Sequence, residues 1–234
     1  MTSSETSRPT VGRSDGADAA RVVFVGDSIT DAGRDRTDRA SLGDGYVALV
    51  AAELRREAPE AEAVNVGISG DRAVDLERRW QADVAAASPD VLSVYVGVND
   101  TWRAFDSDDP TTAEDFEATY RRLLAQVGAG TRLILVEPFL LPVRDEQRAW
   151  LDDLAGKRAV VARLAAETGA PLVPLHAVLT EAAGDDPAAY APDGVHPTPA
   201  GSRVIADAWL AAYRGGTGIG GVPAAEVDGA GVRS

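Results

Sequence analysis

The chain of 234 residues contains no cysteine. Disulfides, thiolate zinc sites and a cysteine nucleophile are thereby excluded. Lys157 is the lone lysine, so lysine-dependent chemistry has a single candidate. Histidine is scarce as well, limited to His176 and His196. Positive charge is short overall: 23 Lys and Arg face 37 Asp and Glu, for a net charge of -14. Such a surface repels nucleic acid and anionic lipid, and no basic run offers a local exception. A neutral substrate fits it better than a polyanion. No apolar run reaches membrane-spanning length. The opening MTSSETSRPTVGRSDGADAA lacks the apolar core of a secretory signal, so a cytoplasmic location is expected. No internal repeat is present at any period.

What is present divides into one domain with loose ends. Residues 1–20 are polar and without periodicity, as in a disordered leader. Residues 214–234 are Gly-rich, as in a flexible tail. Between them, 21–213 reads as a single domain. Its short apolar runs are RVVFVG (21–26), AEAVNVG (61–67), VLSVYVG (91–97), RLILVEP (132–138) and APLVPL (170–175). They are continuously apolar rather than alternating, which suits strands covered on both faces. The segments 46–57, 72–87, 113–127 and 146–167 carry apolar residues at helical spacing. A last helix, about 198–213, opens on Thr198-Pro199, an N-cap followed by proline at the first helical position. The β-α alternation predicts a three-layer α/β/α sandwich around a central five-stranded parallel sheet. In such sheets ligands bind beyond the carboxyl ends of the strands.

Polar clusters fall at those ends. The first strand runs into Gly26-Asp27-Ser28, the second into Asn65-Val66-Gly67, the third into Gly97-Val98-Asn99-Asp100. Asp193-Gly194-Val195-His196-Pro197 precedes the last helix. A serine hydroxyl needs a base to become a nucleophile. His196 has Asp193 three residues before it across a Gly-containing turn. That spacing lets the carboxylate hold one ring nitrogen and leaves the other for Ser28. An acyl-transfer intermediate needs oxyanion donors, each worth ~3–4 kcal/mol of barrier. The N–H groups of Ser28 and Gly67 and the Asn99 amide are the expected donors.

These blocks, in this order, resemble those of the SGNH hydrolases, or GDSL-type esterases. The resemblance implies Ser28 as nucleophile, His196 as base with Asp193 as partner, and an oxyanion hole of Ser28, Gly67 and Asn99. It also implies the flavodoxin-like fold of that family and no cofactor or metal. The usual Gly-Asp-Ser-Leu appears here as Gly-Asp-Ser-Ile-Thr-Asp. GDSITDAGR, NVGISGDRAVDLERRWQADV, GVNDTWRAFD and DGVHPTPAG look closest to the intracellular acetylxylan esterases within that family. That likeness implies a small acetylated carbohydrate as substrate and a homo-oligomeric assembly.

Asp27 and Trp102 are the candidate substrate-binding residues: Asp27 orders its loop through backbone N–H bonds, the favoured role, or shapes the pocket, and Trp102 stacks on a sugar face or serves as packing. Asp31 and Asp100 read as loop fasteners, and His176 as structural. Glu137, at the end of the fourth strand, is a candidate pocket residue. The first strand turn lacks G-x-G-x-x-G and G-x-x-x-x-G-K-[ST], so a nucleotide cradle is disfavoured. It also lacks the second glycine of the α/β-hydrolase elbow. Two other activities stay open at this level: a lysophospholipase or acyl-thioesterase, and a catalytically silent carbohydrate-binding module.

Overall fold

The computed structural model describes residues 20–215. The expected leader and tail lie outside these residues, apart from their inner edges. The last helix runs through Gly215, two residues beyond the expected domain end.

Five parallel strands form one sheet: β1 (Arg21–Gly26), β2 (Glu62–Asn65), β3 (Val91–Tyr95), β4 (Arg132–Val136) and β5 (Leu172–Val173). Their order is β2-β1-β3-β4-β5, the flavodoxin-like winding. Helices alternate with them: α1 (Ser28–Asp31), α2 (Tyr46–Glu57), α3 (Ala73–Trp80), α4 (Val98–Asp106), α5 (Ala113–Leu124), α6 (Trp150–Thr168), α7 (Leu175–Ala183) and α8 (Pro199–Gly215). The α/β architecture and the five parallel strands are those expected.

The two-residue period of β1 explains why its run is unbroken. Val22 and Phe24 pack on one face, with Tyr46 and Val50 of α2 and Ile205 and Trp209 of α8. Val23 and Val25 pack on the other, with Leu76 and Trp80 of α3, Phe116 and Tyr120 of α5 and Leu164 of α6. Each strand residue thus serves a separate core, and burying a side chain of this size contributes about 1.5–3 kcal/mol. Trp209 also donates from Nε1 to Ser93 Oγ at 2.9 Å, so the polar residue inside β3 is satisfied.

Several boundaries shift for physical reasons. β5 is shorter than the expected 170–175 because Pro171 and Pro174 flank it and cannot donate to a ladder. The expected 72–87 helix is α3 followed by a π turn, Gln81–Ala85. The start of the expected 146–167 helix is a 3-10 turn, Asp145–Ala149. Three helices, α1, α4 and α7, begin within two or three residues of a strand end and were not expected. Among the described residues no helix is long and apolar enough to cross a membrane.

The chain leaves β1 toward β2 on one side and returns past β1 to β3 on the other. A crevice opens where the winding reverses, beyond the carboxyl ends of β1 and β3. Ser28 and Asn99 follow those two strands.

Candidate active site

Ser28 is the first residue of α1, at the exit of β1. Glycine is needed just before it, because a Cβ on Gly26 would meet Tyr95 O at 2.3 Å. Ser28 Oγ lies 2.9 Å from His196 Nε2. His196 Nδ1 lies 2.6 Å from Asp193 Oδ2. With Nδ1–H donated to the carboxylate, Nε2 is left to accept from the serine hydroxyl.

The Asp193–His196 turn is built to hold this arrangement. Asp193 Oδ1 accepts the N–H groups of Val195 at 2.9 Å and His196 at 2.7 Å. Burial pushes the Asp193 carboxyl up, but the His196 ring and these two N–H groups outweigh it and hold the group below its ordinary range. Gly194 has φ +88, and a Cβ there would meet Leu141 O at 2.7 Å. Gln147, fully buried, donates from Nε2 to Asp193 O at 2.6 Å. Its Oε1 accepts from the N–H groups of Val143 and Arg144. Sequence reasoning missed Gln147, which sits inside a helical pattern with nothing local to mark it.

Asn99 is the second residue of α4 and 4% exposed. Its Nδ2 donates to Asp71 O at 3.0 Å and retains a second hydrogen for the crevice. That bond sets Asn99 against the Ile68–Asp71 loop.

Gly67 does not occupy the expected place. Its N–H donates to Asn65 Oδ1 at 2.9 Å, in a buried bond. A Cβ on Gly67 would meet Asp31 N at 2.4 Å and Thr30 C at 2.8 Å. Gly67 is therefore glycine so that the loop can lie against α1, and its N–H is engaged. Gly70, three residues on, has φ +89 and an open surface above it. Among the described residues no acceptor takes the N–H of Gly70 or of Ser28. The loop that presents Gly70 is tied down by Asp31, whose Oδ2 accepts from Ser69 N at 2.9 Å and Ser69 Oγ at 2.8 Å. Arg36 pairs with the same oxygen. Nothing in the sequence separates Gly70 from Gly67, since both follow the strand and only the structure shows which N–H is engaged.

Asp27 takes the favoured of its two expected roles, ordering the loop through a backbone N–H. Its side chain is fully buried and touches no crevice, so it is not a substrate-binding residue. Oδ1 accepts from Ile29 N at 3.0 Å and caps α1. Oδ2 has no partner among the described residues. Burial, opposed by that Ile29 bond and reinforced by Asp100 and Asp71, pushes its carboxyl up to about 7. Asp100 accepts from Ala73 N at 3.1 Å and fastens α4 to the start of α3. Trp102 stays at the site, half-buried, with its ring 6.1 Å from the His196 ring. Glu137 pairs with Arg158 at 3.0 Å. His176, on α7, is held below the ordinary histidine range by burial and by Arg158.

A cleft of about 430 Å³ opens over the serine, lined by Ser28, Ile29, Ala32, Gly45, Ser69 and His196. A larger groove of about 740 Å³ lies around Arg21, Glu62 and Asp90, at the opposite end of the strands and away from this chemistry.

Residues 24–204 match the GDSL-like lipase/acylhydrolase family. The chain is 37% identical over 204 residues to an acetylxylan esterase of Geobacillus stearothermophilus, covering 81% of this chain and 92% of that relative. The crystal structure of Axe2, an acetylxylan esterase from Geobacillus stearothermophilus, is similar with a TM-score of 0.76 at 35% identity, over 83% of this chain and 95% of that one. LAE5, an α/β hydrolase enzyme from the metagenome of Lake Arreo, gives a TM-score of 0.76 at 36% identity, over 83% and 95% of the two chains. Catalytic mutants of Axe2 replace a serine or an aspartate by alanine. A family match that spans most of the chain, joined to a curated esterase relative of nearly the same extent, makes this chain a carboxylic ester hydrolase of the GDSL-like lipase/acylhydrolase family.

Proposed function

We propose that this enzyme removes acetyl groups from neutral carbohydrate esters, xylo-oligosaccharides foremost, with Ser28 as nucleophile, His196 as general base and Asp193 as its partner. The observation that carries the reading is the relay from Ser28 Oγ through His196 to Asp193, at 2.9 Å and 2.6 Å. Ser28 Oγ attacks the acetyl carbonyl carbon as its proton passes to His196 Nε2. The tetrahedral oxyanion rests on the N–H groups of Ser28 and Gly70 and on Asn99 Nδ2, with Gly70 in the role first expected of Gly67. Collapse breaks the ester C–O bond, and His196 returns the proton to the departing sugar oxygen. Water, deprotonated by His196, then attacks the acetyl-serine; acetate leaves and the proton goes back to Ser28.

The substrate rests on kinship with the acetylxylan esterase of Geobacillus stearothermophilus and on the chain's net charge of -14, which suits an uncharged ester. A homo-oligomer in the cytoplasm is part of the same reading.

Hydrolysis of aryl esters of rising acyl length, wild type beside Ser28→Ala, tests it first. Fast cleavage of the acetate that falls with chain length, and drops by several orders of magnitude in a folded Ser28→Ala, is the expected outcome. Acetate release from acetylated xylo-oligosaccharides then checks the sugar. Near-normal turnover in Ser28→Ala would sink the mechanism. A preference for long acyl chains would move the enzyme to the lysophospholipase or thioesterase activities, and no cleavage at all would leave only a binding role.

A further inference from the structure

A row of aromatic rings leads away from the base. The Trp102 ring is 6.1 Å from that of His196. Trp150, the first residue of α6, lies 5.6 Å from Trp102 with the planes tilted by 42°. Phe105 stacks on Trp150 at 5.5 Å with the planes only 20° apart. Trp102 and Phe105 are three positions apart on α4, so they share one face of that helix. The row is therefore continuous from His196 to Phe105.

Its outer end is uncovered. Phe105 is 45% exposed and is the exposed large hydrophobic residue among those described, whereas Trp150 beneath it is 6% exposed. A single exposed aromatic is ordinary when it is scattered. This one is backed by a buried indole, held parallel to it, and joined by rings to the catalytic histidine. Arg103 and Asp106, which flank it on α4, pair with each other. A flat exposed apolar face with polar side chains flanking it on the same helix suits the C–H face of a sugar ring and its hydroxyls. The net charge of -14 disfavours an anionic lipid or nucleic acid on the same shelf.

We propose that Phe105, stacked on Trp150, is a distal sugar-binding subsite, so that the enzyme selects acetylated oligosaccharides over acetylated monosaccharides. The inference rests on the sugar-deacetylase reading above. A sugar bearing the ester at Ser28 lies beside Trp102, and a neighbouring sugar of the same chain covers Phe105. Monosaccharides cannot span the row and gain nothing from its end.

Steady-state kinetics of wild type, Phe105→Ala and Phe105→Trp on three substrates test this: 4-nitrophenyl acetate, acetylated xylose and acetylated xylotetraose. Phe105→Ala is expected to raise KM for the tetraose by several-fold to about tenfold, with kcat kept. Phe105→Trp should restore the wild-type KM. Neither change should move the aryl acetate or the xylose ester. Unchanged tetraose kinetics in Phe105→Ala, beside wild-type acetate release from both sugars, overturns the subsite alone. An equal loss on all three substrates overturns it too, as does a shift in molar mass by light scattering without a tetraose-selective change in KM; the latter would assign Phe105 to contact between copies. Wild-type cleavage of the aryl acetate with no release from either sugar would remove the sugar reading, and the subsite with it.

Discussion

One residue before Ser28, a carboxyl group has no exposed surface at all. Asp27 faces Asp100 from α4 and Asp71 from the loop after β2, with the Tyr46 and Tyr95 hydroxyls close by. Burial and the two neighbouring acids raise its titration to about 7, against the Ile29 N–H that favours the charged form. Burial also raises Asp100, to about 6, against the Ala73 N–H and the charges of Lys157 and Arg72. A carboxyl raised in the folded state binds its proton more tightly there than in the unfolded chain. Its cost to stability is therefore absent below the unfolded value near 4, grows as pH rises, and is complete above about 7. For Asp27 the full cost is about 4 kcal/mol by this linkage, as an order of magnitude. Asp27→Asn keeps the oxygen that caps α1 and carries no charge. Its melting temperature should exceed that of wild type by more at about pH 8 than at about pH 5. Thermal melts at the two values check this; equal shifts at both would show that Asp27 is not the buried acid that titrates.

At the scale of elements, the loop after β2 separates two glycines with different duties. Alanine at Gly67 would press a methyl group into Asp31 N at 2.4 Å, a backbone atom that cannot yield. The expected result is a loss of about 1–3 kcal/mol, or roughly 2–10 °C in melting temperature. Alanine at Gly70 meets nothing within 4 Å, but it must hold φ +89. The strain turns the loop and re-aims the N–H, so kcat should fall by about tenfold or more with a smaller loss of melting temperature. Full kcat in a folded Gly70→Ala would return the oxyanion role to another donor.

This pair also shows what the sequence could and could not tell. Composition and periodicity sufficed for the sheet, since each strand is apolar on both faces and the helices are long. The relay of Ser28, His196 and Asp193 was legible because strand ends and a short turn hold all three. Gly67 was misassigned because strand-end position alone does not say whether an N–H is free; Asn65, two residues away, engages it. For Asp27 a pocket-shaping role stayed open beside the favoured loop-ordering one because adjacency to Ser28 does not give its direction; the cap on α1 turns it inward. Gln147 was invisible because its partner, Asp193 O, is 46 positions away in sequence. β5 was overestimated because its apolar run includes two prolines, which pack well and pair poorly.

For the whole molecule, the governing quantity is charge. A net charge of -14 spreads a repulsive field over any approaching anion. Salt shrinks the reach of that field from about 30 Å at 0.01 M to about 3 Å at 1 M. An uncharged acetyl ester feels none of it, so its kcat/KM should change by less than about twofold across that range. A hemisuccinate ester with the same leaving group carries a carboxylate into the cleft. Its kcat/KM should be depressed at low salt and rise about tenfold or more as salt is added. The opposing local influence is the arginine loop after α1, where Arg34 and Arg36 lie beside the Ser69 segment. Both are paired with Asp31, which weakens their pull on a substrate. Stopped-flow rates for the two esters across the salt series decide between the fields. If the hemisuccinate slows as salt is added, Arg34 and Arg36 rule the cleft despite their pairing, and the preference for neutral esters loses its electrostatic basis.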